Sequence, residues 1–528
     1  MNLSTWKADV VSGFLVFLIA LPLCLGISMA SGFPPTAGIL TAIIGGLVVS
    51  QAGSARLTIK GPAAGLIVIA LGAVTELGAG DNLIGYKKAL AVGVVAGVIQ
   101  IVFALMRAGK VGDMMPSSVV HGMLAAIGVI IISKQAHTLL GVVPDGKEPL
   151  HLLAEIPHSI LNLNPEVFFI GMLSLLILFG LPALPFRWAK KVPGPMVVLA
   201  MAIPIGLYFD LEHTHTYSLA NHIYSVGPKL LIRLPASLAS AIAFPDFSSI
   251  FSLISIKYIV MFSLVGSIES LLSVSAVDSL DPERRTSDMN KDLLAAGIGN
   301  TVAAALGGLP MISEIVRSKA NIDNGAKSRW ANFFHGLFLL AALVLIPGLL
   351  QEIPLAALAA MLIYTGFRLA SPKEFIHAYE IGAEQLFLFV TTMFVTLATD
   401  LLVGVGVGLM LKVILDMNNG ASLKTLFSAV VRERIDGDTL ILEIHESAIF
   451  TNYLALKARL AELGPEIKTV ELQFGAAWIV DHTVLEKLTA LSRTWTGREM
   501  VLTGLDEMEA ASAHELASRR RRRNMVAA

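Results

Sequence analysis

Charged residues are scarce in this chain, and cysteine is nearly absent. Only 15% of the 528 residues are Asp, Glu, Lys or Arg, whereas 55% are hydrophobic. A soluble domain carries more charge on its surface, so the composition excludes an ordinary soluble protein. Cys24 is the single cysteine, which excludes an intrachain disulfide and makes thiol redox chemistry an unexpected function. The formal net charge of −1 provides no basic excess, so no nucleic-acid partner is expected.

The few charges are unevenly distributed along the chain. Residues 9–417 form apolar blocks separated by short polar stretches, whereas charged residues are frequent from Val431 onward. A membrane-crossing helix needs about 20 apolar residues. We therefore predict a multi-pass membrane domain over residues 1–420 and a cytoplasmic α/β domain over 431–520. The basic tail at 519–523 is expected to contact anionic membrane lipid.

The apolar blocks predict fourteen membrane spans. With this count, Lys and Arg concentrate in the loops on one side, as the positive-inside rule requires for a cytoplasmic N-terminus. An even number of spans returns the C-terminus to the cytoplasm, and the predicted location is the inner (plasma) membrane. The predicted spans are 10–30, 33–51, 62–78, 88–106, 118–133, 166–186, 193–209, 256–278, 290–308, 310–323, 331–349, 354–371, 384–400 and 402–418.

Two of these spans are short and open with a proline among glycines. KGPAAGLIVIALGAV starts at residue 60 and GGLPMISEIVRSKA at residue 307, so they are the third and tenth spans, equivalent places in two seven-span halves. This pattern is typical of inverted-repeat transporters. Proline is favoured in the first helical turn, so Pro62 and Pro310 predict two helix starts near mid-membrane depth. Their free N–H groups would bind an inorganic anion; the alternative is that both prolines are ordinary kinks.

The predicted anion site combines backbone, small side chains and one guanidinium. Glu314 follows Pro310 by about one turn and would compete with an anion unless it is neutralised. Lys60 flanks the other broken helix, so we predict a Lys60–Glu314 contact. The alternative is a Lys60 side chain that extends to the cytoplasmic interface. The predicted substrate-binding residues are Pro62, Ala63, Ala64, Pro310, Met311, Ile312, Ser313 and Arg317.

The eighth span contains a carboxylate within its apolar stretch. Glu269 and Ser273 are four residues apart, so they share one helical face. An intramembrane carboxylate with a hydroxyl at this spacing is suited to holding Na⁺ or carrying a proton. The alternative is a protonated, hydrogen-bonded glutamic acid that stabilises the bundle.

The chain resembles the sulfate permease family of anion transporters and exchangers over nearly its whole length. The resemblance implies two inverted seven-helix repeats (about 8–210 and 256–418), core and gate domains, an elevator-like mechanism and a homodimer. The pattern is most similar to bacterial bicarbonate and sulfate carriers. It rests on the order and spacing of SGFLVFLIALPLCLGISMASGFPPTAGILTAIIGG (12–46), GPAAG (61–65), GSIESLL (266–272), GIGNTVAAALGGLP (297–310) and RSKANIDNGAKSR (317–329).

The same resemblance implies a coupling-ion site. In bacterial bicarbonate carriers of the family, Na⁺ is held by an acidic residue and a hydroxyl on the eighth helix and by residues early in the tenth. The matching residues are Glu269, Ser273, Ser313 and Glu314, and Arg317 matches a usual basic residue. Glu314 departs from the pattern, which has a small residue there, and this leaves Na⁺ and H⁺ coupling open. No other cofactor is expected.

The C-terminal region alternates apolar strands with amphipathic helices. Asp481 is expected to be a helix N-cap. The resemblance implies a sulfate transporter and anti-sigma antagonist (STAS) domain, in which Thr483 falls at a turn that can be phosphorylated; structural capping is the alternative. We expect a dimer or partner module. The predicted strands are 439–445, 468–474 and 498–504, and the predicted helices are 452–464 and 481–495.

The predicted function is secondary active transport of a small inorganic anion, with Na⁺-coupled bicarbonate uptake as the first hypothesis. The alternatives are H⁺-coupled sulfate transport and anion exchange. Nucleobase uptake is disfavoured because no aromatic platform flanks either broken helix. An enzyme is not expected, since no histidines cluster within a span. A membrane sensor that signals through the C-terminal domain is a further class.

Overall fold

The structure is a computed structural model and divides into two compact units. The first unit contains Met1–Gly109, Ile127–Asp281 and Ser287–Leu369, and the second contains Lys110–Ala126, Pro282–Thr286 and Ala370–Ala528. Residues 370–418, predicted as the end of the membrane domain, thus belong to the same unit as the C-terminal domain. The structure describes residues 6–146, 148–186, 192–219, 222–234, 238–426, 428–461, 463–464, 466–495 and 497–521.

The first unit is helical, and each predicted span that it holds contains a helix. Helix α2 continues through a π-helical turn, Gly45–Val49, to Ala52. The helices are α1 (Trp6–Ala30), α2 (Pro35–Ile44), α3 (Ile67–Gly78), α4 (Asn82–Leu105), α5 (Ser117–Leu140, whose first residues belong to the second unit), α6 (Pro149–Leu161), α7 (Pro165–Ala183), α8 (Gly194–Tyr208), α9 (Leu253–Leu280), α10 (Met289–Ala305), α11 (Ile315–Asp323), α12 (Trp330–Leu345), α13 (Pro347–Gln351) and α14 (Leu355–Leu369).

Eight helices of the whole described chain are long and apolar enough to cross a membrane, and four shorter apolar helices accompany them. Helices α10 and α11 complete the fourteen predicted positions. Several starts are fixed by capping side chains, because Asp81, Asn164, Ser252 and Asp288 accept hydrogen bonds from the first-turn N–H groups of α4, α7, α9 and α10. The protein is therefore a multi-pass membrane protein.

Helix packing in the first unit repeats between the two halves of the chain. With α1–α4 taken as the equivalents of α9–α12, α1 packs against α12 as α9 packs against α4. In the same way, α2 packs against α12 as α10 packs against α4, and α1 packs against α11 as α9 packs against α3. An odd number of spans in each half gives the halves opposite orientations, so the repeats are inverted.

The two broken helices meet as a pair of short antiparallel strands. Strand β1 (Ile59–Pro62) pairs with β4 (Met311–Glu314). Pro62 therefore ends a strand and Pro310 precedes one, and the prediction that each proline begins a helix is wrong. Extended backbone suits proline's fixed φ and missing N–H as well as a helical first turn does. In both halves the α-helix begins five residues after the proline, at Ile67 and Ile315.

Helix α6 and a β-hairpin, both in the first unit, also had no counterpart in the prediction. Helix α6 is amphipathic and lies between the fifth and sixth predicted spans. A β-hairpin of β2 (His215–Leu219) and β3 (His222–Val226) lies between the seventh and eighth. Both are too polar or too short for a search based on apolar runs of membrane-spanning length.

The second unit joins the last membrane helices to a seven-stranded sheet. Its strand order is β10-β11-β8-β6-β7-β9, and β5 pairs antiparallel with β6 outside this order. Leu442, Val470 and Val484 are fully buried in the core of the sheet and its helices. Strands β5, β8, β10 and β11 were not predicted. The elements are α15 (Pro372–Ile381), α16 (Ala383–Ala398), α17 (Leu401–Asn418), β5 (Val430–Asp436), β6 (Thr439–Ala448), α18 (Tyr453–Ala461), β7 (Thr469–Gln473), β8 (Ala477–Val480), α19 (His482–Thr494), β9 (Glu499–Thr503), β10 (Glu509–Ala510) and β11 (Arg519–Arg520).

A buried ion cluster fixes the sheet domain to α17 within the second unit. Lys412 forms ion pairs with Asp416 and, at 3.3 Å, with Asp481. Asp481 is the N-cap of α19, as predicted, and accepts a hydrogen bond from the Val484 N–H at 2.7 Å. Its second oxygen accepts from the Phe450 N–H at 2.9 Å. One aspartate thus anchors a helix start, a loop and a membrane helix.

Candidate anion-binding site

The strand pair β1–β4 is the frame of the candidate site. Lys60 lies opposite Ser313, and Gly61 lies opposite Ile312. The Asn300 side chain from α10 makes two hydrogen bonds to the backbone of Met311. Its oxygen accepts from the Met311 N–H at 2.6 Å, and its nitrogen donates to the Met311 carbonyl at 3.1 Å. This amide takes the place of a further strand, and it satisfies polar groups that would be costly to leave unpaired in a membrane protein.

Two uncapped helix starts follow this frame. Helix α3 follows a 3₁₀ turn at Ala64–Leu66, and neither α3 nor α11 has a side-chain cap among the described residues. The first N–H groups of an α-helix have no partner within the helix, and they carry its positive dipole end. Ala64 and Ile315 line one cavity of about 800 Å³. The cavity is therefore lined by α11 and by the turn that precedes α3.

Arg317 is the buried member of three cationic side chains that line this cavity, with Lys319 and Arg368. It is only 1% exposed, and its Nη1 lies 3.5 Å from the Cys24 sulfur. Within the part of the chain that the structure describes, its Nη2 has no hydrogen-bond partner. A buried guanidinium with an unused donor is costly unless a ligand pairs with it, so Arg317 is suited to bind an anion.

Two carboxylates lie beside the 3₁₀ turn at Ala64–Leu66 that precedes α3. Glu314 accepts a hydrogen bond from the Ala64 N–H and interacts electrostatically with Arg317. The Glu269 carboxylate packs directly against Gly65, where any added side chain would overlap it. In the described residues, one oxygen of each carboxylate has no hydrogen-bond partner. The structure thus brings the predicted residues Glu269 and Glu314 to one place.

Lys60 does not contact Glu314, so that prediction is wrong. Its ammonium instead forms an ion pair with Asp292 of α10 and donates to the Ser313 hydroxyl at 2.5 Å. The side chain is 1% exposed, which also excludes the alternative of a lysine extending to the interface. The strand register explains this, because it places Lys60 and Ser313 directly opposite each other.

The predicted Na⁺ ligands are only partly assembled. The Ser313 hydroxyl accepts from the Lys60 ammonium, and the Ser313 backbone N–H donates to the Ser270 Oγ at 3.2 Å. Ser270, rather than the predicted Ser273, thus reaches β4, while Ser273 is buried on the same helix. Glu269 and Glu314 offer free oxygens, but Ser313 does not, so the set of four does not fit a Na⁺ ion.

Sequence reasoning missed the residues that support the site from other helices. Asp292 and Asn300 are polar residues in a ninth span made mostly of small residues, and this contrast was the available signal. Gln100 on α4 accepts from Asn300 at 2.7 Å. The sequence singles out Cys24 only as the one cysteine, and its contact with Arg317 was not predicted. None of these contacts follows from spacing along the chain, because each joins residues of different helices.

The predicted features of the C-terminal domain lie in ordered structure. The Thr483 side chain is buried, so phosphorylation there would require the start of α19 to open. Arg519 and Arg520 form β11, which pairs with β8. The start of the predicted lipid-contacting tail is therefore part of the sheet, whereas Arg522 and Arg523 lie outside the described residues.

Known proteins resemble this chain in sequence and in fold. YvdB of Bacillus subtilis (strain 168), whose name assigns it sulfate transport only provisionally, is 27% identical over 412 residues, 78% of this chain and 73% of YvdB. The bicarbonate transporter BicA of Synechocystis sp. is 26% identical over 438 residues, 83% of this chain and 73% of BicA. A solved structure of the murine Slc26a9 anion transporter in its inward-facing state has a TM-score of 0.68 at 14% identity, over 95% of this chain and 86% of that chain.

The family assignment follows from a match along most of the chain. The profile of the sulfate permease family matches residues 6–392, which include the strand pair and both half-helices. The Slc26a9 likeness extends to the C-terminal domain, whose sheet and helices fit a STAS domain. The chain belongs to the sulfate permease family and is an anion transporter, not an enzyme.

Proposed function

We propose that this protein is a secondary active transporter that takes up bicarbonate, with sulfate as the alternative substrate. The observation that supports this most is the unpaired, buried Nη2 of Arg317 beside a cavity shared by two helix starts. An oxyanion there would accept hydrogen bonds from the guanidinium and from first-turn N–H groups of α11.

The charges around the cavity do not by themselves select a monoanion or a dianion. With all of them ionised, Glu269, Glu314 and Asp323 balance Arg317, Lys319 and Arg368. The relatives include transporters named for both anions, so family membership alone leaves the choice open.

The side on which the cavity opens supports an inward-facing state. Lys319 and Arg368 line it, and the distribution of cationic residues predicts both to be cytoplasmic. We propose an elevator-like movement of the half-helices, a homodimer, an inner-membrane location and cytoplasmic termini. Coupling to a cation through Glu269 is part of the proposal, and a cytoplasmic partner of the STAS domain is a further expectation.

Uptake into proteoliposomes tests the proposal. Labelled bicarbonate and labelled sulfate would be offered to purified protein with no gradient, a Na⁺ gradient or a pH gradient. We expect gradient-driven accumulation of bicarbonate that Arg317→Ala abolishes. Ile69→Ala is the matched control, since Ile69 lies seven residues after Pro62 as Arg317 does after Pro310. Preferential uptake of sulfate would replace bicarbonate with the alternative substrate. Absence of uptake of both anions by folded protein would contradict transport and favour a sensor.

A further inference from the structure

Lys60 is a buried cation that contacts Ser313, one of the four residues that the family resemblance assigns to a Na⁺ site. It projects from β1, and both of its partners come from the other half of the chain: Asp292 from α10 and Ser313 from β4. All three residues are at most 1% exposed. A buried lysine retains its charge only when it is paired and hydrogen-bonded, and these two partners meet that need.

Each side-chain oxygen around Lys60 already accepts a hydrogen bond. The Ser313 oxygen, which has two lone pairs, accepts from the Lys60 ammonium at 2.5 Å and from the Ser270 hydroxyl at 3.4 Å. Asp292 accepts from Lys60 with one oxygen and from the Ala55 N–H at 3.2 Å with the other. Lys60 neutralises the Asp292 charge, so the cluster offers no uncompensated negative charge to a second cation.

The backbone of Lys60 is held in place by close packing. An ideal Cβ at Gly45, in the π-helical turn after α2, would lie 2.6 Å from the Lys60 carbonyl oxygen and 2.9 Å from its Cβ. Only a glycine permits β1 to approach α2 this closely. This packing fixes the backbone from which the Lys60 side chain reaches Asp292 and Ser313.

We propose that the Lys60 ammonium occupies the cation position at Ser313, so that this chain carries a tethered cation there and transports its anion without Na⁺. The inference rests on the proposed function, because it concerns the coupling requirement of that transport. A Na⁺ about 4 Å from the ammonium would meet a repulsion of about 4 kcal/mol at an effective dielectric of about 20. Na⁺ at Ser313 and the Lys60 contact are therefore mutually exclusive.

Removing the ammonium should convert the cluster into a Na⁺ site. Lys60→Met keeps the length of the side chain but leaves Asp292, Ser313 and Ser270 as an uncompensated set of oxygens. Na⁺ could then replace the lost charge. Lys60→Met combined with Asp292→Asn removes both charges, so it is the matched control that should gain no Na⁺ response.

The test measures Na⁺ dependence in two ways for the wild type and both variants. The first is anion uptake into proteoliposomes with Na⁺ or an equal concentration of choline. The second is the thermal unfolding midpoint of purified protein in the same two salts, which does not depend on transport. We expect equal uptake and equal midpoints in both salts for the wild type. We expect Lys60→Met to lose uptake in choline, regain it in Na⁺ and unfold at a higher temperature in Na⁺, and the double variant to show no such difference.

The outcomes separate this inference from the proposed function. Saturable Na⁺ dependence of wild-type uptake, or stabilisation of the wild type by Na⁺, would overturn the tethered cation while leaving anion transport intact. A Lys60→Met protein that responds to Na⁺ no differently from the double variant would also overturn it. If Lys60→Met does not fold, the wild-type measurements decide. If no anion is taken up at all, the proposed function fails and the unfolding midpoints still decide the inference.

Discussion

The two broken helices have the same geometry and different chemistry. Each α-helix begins five residues after a proline, and each is preceded by one strand of the β1–β4 pair. The first segment has Leu66 and Ile69 where the second, counted from the proline, has Glu314 and Arg317. The inverted repeat therefore supplies two helix starts, and only the second has ionisable side chains at these two positions.

The largest expected effect comes from replacing Arg317, whose equivalent in the first half is the uncharged Ile69. Arg317→Ala should weaken anion binding by about 10- to 100-fold, because a hydrogen bond to a charged group is worth about 1.5–3 kcal/mol. Ile69→Ala, at the equivalent place, should lower stability through lost packing and leave affinity unchanged. Equilibrium binding of labelled anion and thermal unfolding of both variants check this. Equal affinity losses in the two variants would mean that the halves do not differ as described.

A smaller effect is expected from the first segment acting on the second. A methyl group at Gly61 would lie 2.5 Å from Arg317 Nη1, so Gly61→Ala should displace the guanidinium. We expect affinity to fall by about fivefold, the equivalent of about 1 kcal/mol. Gly180→Ala is the control, because an added methyl there meets no atom within 4 Å. Normal affinity in Gly61→Ala, measured by the same binding assay, would show that the position of the guanidinium is unimportant.

The smallest effect is expected from neutralising the second asymmetric charge. Glu314→Gln keeps the shape of the side chain and removes a negative charge beside the cavity. Binding at neutral pH should tighten by a few-fold, because the nearby Arg317 already offsets part of the repulsion. Competition binding with bicarbonate and sulfate measures the change, and sulfate should gain more than bicarbonate. Weaker binding of both anions would show that the carboxylate supports the site instead of opposing the ligand.

The helices and the two breaks in them could be predicted from the sequence because they depend on local patterns. Apolar runs of spanning length identified the helices, and matched prolines among glycines identified the two breaks. Glu269, Glu314 and Arg317 stood out because ionisable groups are rare and costly within a membrane. The N-cap role of Asp481 followed from its place before an amphipathic helix. Its ion pair with the buried Lys412 joins it to a different helix, α17.

The partners within the site could not be predicted because they depend on register and on contacts between helices. Lys60 contacts Ser313 because β1 and β4 pair in antiparallel register at that residue, and it reaches Asp292 on α10 from there. No strand pair was expected inside a membrane domain. Helix starts were predicted at the prolines because proline's fixed φ and missing N–H suit a first helical turn. Extended backbone suits them equally well. The amide of Asn300 bonds β4 from a helix whose polar residues had no evident partner in the sequence.

The transported anion is proposed to bind between the two helix starts, where Arg317 holds it. An experimental structure of the protein with that anion bound, bicarbonate or sulfate as uptake decides, tests this most directly. We predict anion density in the cavity lined by Ala64, Ile315 and Arg317, with an oxygen about 3 Å from the Arg317 guanidinium. Density at any other place, or an Arg317 paired with protein groups while the anion is bound, would contradict it.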